Sequence, residues 1–422
     1  MKTLFLFILF TALFSQNILP QVWIEQTSNV TVQLTSISGI DDANIWVCGY
    51  SGTVLKTVNG GMNWVNVSGS PIPSTLNLHT IFAIDANNVL VGGSGTSSFL
   101  FRTTNAGASW QQVFTETGGF INSVHFGNSS AGYMVGDPVG GRWSLWGTTD
   151  AGVTWDSSTF YLPAGSGSEA GWNNAFFFDI SAGVFIGTNN TRVYKTVNLV
   201  NWTTQPTTPQ VNSYAIWFNN ALTGFTGGTA LLTTTTGGAN WSPPPSLLPG
   251  TANISGITGS GSQYWVTRQS NVIYFTSNNG ANWSTSYTAA AGNLYRYIAR
   301  PRNFGFNTLY AVKSNGGITK GTIPLGITPV SNEIPEVYDL KQNYPNPFNP
   351  KTTIQIDIPK ESFVKLSVYD EIGREVTALI NENLRPGKYE IDFEGNRLSS
   401  GVYYYRLTTP DFNDTRKMIL LK

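Results

Sequence analysis

A short box ending in tryptophan recurs six times between Thr57 and Trp283, and its tryptophans fall 46, 45, 47, 39 and 42 residues apart. Five copies have the same length: Thr57–Trp64, Thr103–Trp110, Thr148–Trp155, Thr234–Trp241 and Thr276–Trp283. The sixth, Thr196–Trp202, is one residue shorter. A period of about 40–45 residues is that of a four-stranded propeller blade. The lead-in to each box is an apolar strand, a polar turn and a second strand ending in glycine, as in Ile81–Gly93 and Ile216–Gly228. Short strands split by Gly, Asn and Asp turns at even spacing predict an all-β fold built by radial repetition.

The box has a mechanical logic. Asn or Asp at its third position can accept hydrogen bonds from the turn's own backbone. Gly at its fifth supplies a positive φ without steric cost, and the Trp anchors the outer strand with a large apolar surface. The pattern, with Asn59, Asn105, Asp150 and Asn278 at the third position, resembles the Asp-box of sialidase-type propellers. The whole repeat looks most like the propellers of the photosystem II assembly factor family and related bacterial surface proteins. A seventh unit is expected over about Tyr295–Ile323. It keeps Asn315-Gly316-Gly317 and Thr319 but has Lys320 where Trp is expected, and no outer strand follows. Val22–Thr31 reads as the missing strand, because Trp23 precedes Trp64 by 41 residues. The expectation is a seven-bladed β-propeller over 22–324, its N-terminal strand closing the last blade and protecting the sheet edges.

The two ends of the chain carry a different message. Met1-Lys2 followed by the apolar run Leu4–Phe14 predicts a secretory signal peptide over 1–21, too short to span a membrane. The single cysteine, Cys48, rules out an internal disulfide and sits in an apolar strand-like run, as a buried inert thiol does. Charge divides the rest: 12 of the 24 Lys and Arg and 14 of the 24 Asp and Glu fall in 333–422. Such a composition shift marks a domain boundary, and Pro324, Pro329 and Pro335 suggest a linker over 325–336. Beyond it, 337–422 has short alternating strands, Thr353–Ile358, Val364–Tyr369, Tyr389–Phe393 and Val402–Leu407, that predict a small immunoglobulin-like β-sandwich. Its motifs, Tyr344-Pro-Asn-Pro-Phe-Asn-Pro350, Leu398–Leu407 and the final Lys417–Lys422, resemble the type A C-terminal sorting domain of type IX secretion in Bacteroidetes-like bacteria. That resemblance implies the type IX translocon and its C-terminal signal peptidase as partners, attachment to surface lipopolysaccharide, and a secreted or surface location.

The central region shows no basic patch, so nucleic acid is not an expected partner. Sialidase chemistry does not fit, since no arginine stands in the Arg-Ile-Pro that the family carries near its start. Other glycosidases need two carboxylates facing one cleft. Asp137 and Glu169 are the pair that the repeat leaves unexplained, Glu169 within an irregular insertion over 160–172. With only His79 and His125 as histidines, no metal site is expected, and no cofactor. At equivalent positions where each innermost strand begins stand Thr35, His79, Asn122, Asn174, Tyr214, Ser255 and Arg296. These could form a polar ring at one mouth of the channel, with Trp143, Trp146, Tyr161 and Trp172 as aromatic neighbours able to stack on sugar rings. The leading expectation is a non-catalytic binding or scaffolding propeller with a carbohydrate or protein ligand. The alternatives are a carbohydrate-active hydrolase using Asp137 and Glu169, and an assembly factor for a surface complex.

Overall fold

The computed structural model describes residues 21–165, 167–179, 182–302, 308–323, 327–331, 334–384, 386–395 and 398–422. The expected signal peptide lies outside the described residues except for Gln21. Among the described residues there is no helix, and the strands fall into two units, one built on Val22–Ile323 and one on the chain after it.

In the first unit the described strands form seven antiparallel sheets of three or four strands. Their first strands are Leu34–Gly39, Leu78–Ala83, Ile121–Phe126, Gly171–Asp179, Ala215–Phe218, Ile254–Ser260 and Tyr295–Ala299. Each first strand packs against the first strand of the next sheet, and the seventh packs against the first, so the sheets close a ring. Both faces of a sheet are therefore buried, which is why Ile45–Gly49 and Val89–Ser94 are buried at every residue instead of at every second one. The junction between seventh and first sheets is as apolar as the others, joining Leu34, Ile37, Val47 and Leu55 to Tyr310, Val312 and Ile318.

The outermost strand of the seventh sheet comes from the other end of this unit. Val22–Gln26 runs antiparallel to Ile318–Thr322, with Val22 opposite Thr322 and Gln26 opposite Ile318. Its side chains reach three sheets. Trp23 stacks at 5.8 Å on Tyr287 and donates to Ser286 Oγ at 2.9 Å. Glu25 pairs with the buried Lys313, and Gln26 accepts from Trp64 Nε1 at 3.0 Å. Asn315–Gly317 are not a seventh box. They form the hairpin turn closed by Lys313 N–H donating to Gly317 O at 3.0 Å; a box follows a third strand, whereas these residues precede one.

The second unit contains two four-stranded sheets, one with Lys351–Ile358 and Gly387–Glu394 at its centre and one with Ser362–Tyr369 and Gly401–Thr408. Phe348, from the proline-rich motif, ties them together. Its ring lies 5.8 Å from Phe393 of one sheet, and its backbone bonds Ile419 and Leu421 at the chain end. The segment expected as a linker holds a strand, Ile327–Ser331, on the edge of the first sheet beside Gly387–Glu394. An edge position is where Pro329 is tolerated.

Each box folds into the same turn. In the five boxes of full length the threonine hydroxyl accepts from the glycine N–H four residues on, at 2.9 Å for Thr57 and Gly61 and 2.9 Å for Thr103 and Gly107; in the shorter box Thr196 accepts from Leu199 N–H, three residues on, at 2.9 Å. The third residue accepts from the N–H four residues further, as Asn59 does from Asn63 at 3.0 Å. Two successive left-handed residues, such as Gly60 and Gly61 or Ala106 and Gly107, then point the first one's carbonyl outward. A cation from the preceding sheet donates to that carbonyl: Lys56 to Ala106 O at 2.6 Å, Arg102 Nε to Ala151 O at 2.8 Å, Lys195 to Gly237 O at 2.5 Å and Lys320 to Gly60 O at 2.9 Å. Lys56, Lys195 and Lys320 also lie over Trp46, Phe185 and Tyr310 of their own sheets. Lys320 links the seventh sheet to the first. A hydrogen bond from a charged donor contributes about 1.5–3 kcal/mol, and Lys320 is only half-buried. Lys320→Met should therefore lower the unfolding free energy by about 1–2 kcal/mol in urea titration; an unchanged midpoint would show that the lysine contributes nothing to closure.

Candidate functional site

Five of the seven first strands begin with a β-bulge at the position expected to form the polar ring. Pairing skips Thr35, His79, Asn122, Ser255 and Arg296, each between two residues that pair regularly with the second strand. In the fourth sheet the irregularity runs from Gly171 to Phe176. A bulge residue is freed from the ladder and its side chain is re-aimed. The bulges therefore place a set of side chains at one mouth of the ring, where no strand pairing dictates what they must be.

The re-aimed residues then divide. Thr35 turns into the neighbouring sheet, donating to Leu78 O at 2.8 Å, and Ser255 bonds Thr267 Oγ1 at 3.0 Å; both are buried. Both spend their hydroxyls on contacts inside the protein. His79, Asn122 and Tyr214 belong to a connected polar and aromatic cluster. The His79 ring lies 4.5 Å from that of Phe120, tilted by 39°, and its Nδ1 accepts from Asn173 Nδ2, two sheets away, at 3.3 Å. Asn122 Nδ2 donates to Asp137 Oδ1 at 2.7 Å, and Gly171 N–H donates to the same oxygen at 2.7 Å. Trp172 lies 4.5 Å from Tyr214, whose hydroxyl meets Asn253 Nδ2 at 3.5 Å. Arg296 is half-buried at the seventh sheet's bulge, and the side chain of Asn174 lies outside the described residues. Two polar atoms in the cluster are buried without a partner, Asn122 Oδ1 and Trp172 Nε1. Asn173 and Asn253 were not expected from sequence; Asn253 alone had a signal, standing two residues before the bulge at Ser255.

Electrostatics single out two groups. Burial pulls the His79 imidazole down to about 4 from 6.5, so it is neutral at pH 7. Burial raises the Asp137 carboxyl above 3.8, opposed by the bonds from Asn122 and Gly171.

Most of the remaining candidates make contacts inside the protein. Glu169 is buried, and its carboxylate takes Arg192 Nε at 3.2 Å, Gly165 N–H at 2.7 Å, Tyr194 OH at 2.9 Å and Trp143 Nε1 at 3.3 Å. It pins the insertion over 160–172 to the third and fourth sheets. Trp143 is 1% exposed, packed with Leu162, Ile186 and Tyr194. Its indole lies inside the interface between the third and fourth sheets, so it cannot stack on a ligand. Trp146 packs edge-on against Phe114 in the same way. Tyr161 is exposed on the insertion. Among the described residues no group of three or more His, Cys, Asp or Glu could hold a metal.

Residues 342–421 match the family of secretion system C-terminal sorting domains. A tail of that family implies export from the cell through the type IX machinery. No curated protein matches the chain. The fold of the first unit is that of solved β-propellers. "YCF48 bound to D1 peptide" aligns at 14% identity and a TM-score of 0.58, covering 72% of this chain and 97% of that one. YCF48 from Cyanidioschyzon merolae aligns at 16% and 0.56, covering 71% and 98%. The WD40 propeller of Doa1 aligns at 9% and 0.51, covering 71% and 97%. The protein is thus a β-propeller carrying a type IX sorting tail.

The burial of His79 makes stability depend on pH. The folded state binds the His79 proton less readily than the unfolded chain, because the folded-state value lies below 6.5. Its stability contribution is full above pH 6.5 and is lost as pH falls from 6.5 to about 4. His79→Phe keeps a ring on Phe120 and removes this proton. The unfolding free energy of the variant relative to wild type should gain about 3 kcal/mol across that window; a constant difference would contradict a neutral buried imidazole. Glu169→Ala strands Arg192, whose side chain is 30% exposed, and should destabilise by about 2–3 kcal/mol in thermal or urea unfolding.

Proposed function

We propose that this chain is an exported binding or scaffolding protein, a seven-bladed propeller that holds its ligand at the mouth where the first strands begin and performs no chemistry on it. One observation carries this reading: the starts of the first strands gather His79, Asn122, Trp172 and Tyr214 there, with two buried polar atoms left unsatisfied. A buried polar atom without a partner costs free energy that a ligand would recover, and positions freed from the sheet ladder are where such a group can be held. The seven sheets are read as seven blades with Asp-box-like turns, Val22–Gln26 as the strand closing the seventh, and the second unit as an immunoglobulin-like sandwich over 337–422. In this reading a signal peptide over 1–21 starts export. The tail is then removed by the C-terminal signal peptidase, and the propeller is released or attached to surface lipopolysaccharide.

The hydrolase alternative needs Asp137 and Glu169 as an acid and base facing one cleft. Glu169 spends its carboxylate on four close donors inside the protein, which leaves Asp137 alone. A peptide is held by one solved propeller of this fold, by its title the D1 peptide; at 14% identity this is a parallel of fold only. Incubating the full-length protein on glycan and peptide arrays tests the reading. Selective capture that is lost in Trp172→Ala, with no product released from the captured ligand, supports it; turnover of a glycan would replace it with the hydrolase. In cells, deleting residues 342–422 should retain the protein inside, and its undiminished appearance outside would contradict the export route.

A further inference from the structure

Asp137 puts a charge where the fold asks only for a hydrogen-bond acceptor. Six second strands end at this mouth with Tyr50, Ser94, Asp137, Asn189, Gln269 and Ser314. Each backbone N–H there donates to the residue just before a first strand or its bulge, at 2.7–3.3 Å. In the second sheet Ser94 Oγ accepts the first N–H of the next sheet, Ile121, at 2.9 Å. Asp137 Oδ1 does the same for Gly171. A neutral hydroxyl suffices for this task at Ser94, and the other equivalent residues carry no charge. The second carboxylate oxygen is surplus to the architecture.

That carboxylate is also unpaired. Its described hydrogen bonds come from neutral donors, Asn122 and Gly171, and both fall on Oδ1. Desolvation of a carboxylate without a countercharge is unfavourable. Beside it, Asn122 is 2% exposed and its Oδ1 has no donor. Two acceptors, one of them anionic, thus sit together and lack a complement. Two aromatic residues adjoin them along the chain: Phe120 precedes the Ile121–Asn122 bulge and its carbonyl accepts from Asp137 N–H at 2.9 Å, while Trp172 follows Gly171 and packs its ring on Tyr214. A primary ammonium supplies several N–H donors and a positive charge on a slender stem. A neutral sugar hydroxyl would satisfy the acceptors but leave the charge unpaired.

We propose that Asp137 forms the seat of an alkylammonium group, the lysine side chain of a polypeptide ligand, at this mouth of the ring, with the buried Asn122 amide behind it. This inference rests on the reading that this mouth is the binding face, and its test separates the two.

The probe is Nα-acetyl-lysine N-methylamide, titrated into the full-length protein and followed by the indole N–H resonance of Trp172. The uncharged norleucine analogue and N-acetylglucosamine serve as comparisons. The lysine probe should shift the resonance, and the norleucine analogue should bind at least tenfold more weakly. Asp137→Asn retains the acceptor for Gly171 and should weaken lysine binding at least tenfold with an unchanged melting temperature. Should that variant fold poorly, Asp137→Ser copies the arrangement at Ser94 and should give the same loss. Equal binding of the lysine and norleucine probes, or lysine binding unaffected by either variant, would overturn the ammonium seat. If N-acetylglucosamine alone shifts the resonance, the ammonium seat is overturned while the mouth stands as a binding face. If none of the three shifts it, the seat is overturned and the binding face loses its support as well.

Discussion

The structure depends on how one sheet grips the next. Sheets buried on both faces cannot stand alone, and a ring of them has no end where a mismatch can be hidden. Apolar packing fills the junctions but is non-directional. Directional bonds at the periphery add to it at four of the seven junctions, where a cation at the end of one sheet's third strand meets the outward carbonyl of the next sheet's box turn. That carbonyl points outward because two left-handed residues stand in succession in the box. The glycines of the repeat therefore serve the neighbouring sheet as much as their own turn. The seventh sheet has no box of its own, and Val22–Gln26 supplies the outer strand that reaches Ser286, Lys313 and Trp64.

With the periphery holding the ring, the inner ends of the sheets are free to vary. The bulges at the first strands interrupt pairing without breaking it, since pairing resumes within two residues, shifted by one, at Leu34/Ser36, Leu78/Thr80 and Ile121/Ser123. Two of the released side chains, Thr35 and Ser255, return to the interior as packing contacts. Around Asn122, by contrast, the second, third and fourth sheets collect a carboxylate, amides, a neutral imidazole and indole. The asymmetry has a structural origin. The insertion over 160–172, pinned by Glu169, makes the junction of these two sheets unlike the others.

An all-β fold and a propeller were legible in the spacing of the box tryptophans, because a repeat that cannot bury its faces alone must stack. The sorting tail was legible because its motifs are sequence motifs. The position of the bulges was visible as a column of polar residues, but not their nature: a bulge is a property of two strands paired, and single-chain periodicity says nothing of the partner. The same limit hid the cations. Lys56, Arg102 and Lys195 stand before box threonines in the sequence, yet the carbonyls they meet lie on the following sheet. Alignment by composition misplaced Asn315–Gly317, since a Gly-rich hairpin and a Gly-rich box use the same residues for the same positive φ. Glu169 read as a loop residue because an irregular segment carries no burial signal of its own.

The central claim is that the mouth formed by the first-strand bulges is where this protein meets its ligand. Photocrosslinking on living cells tests it whatever the partner proves to be. A benzophenone side chain at position 172 faces that mouth; one at the exposed position 222 lies in a turn at the opposite ends of the strands. The account predicts a discrete crosslinked species from position 172 and none from position 222. Crosslinking from 222 alone would place the ligand on the other face and contradict it.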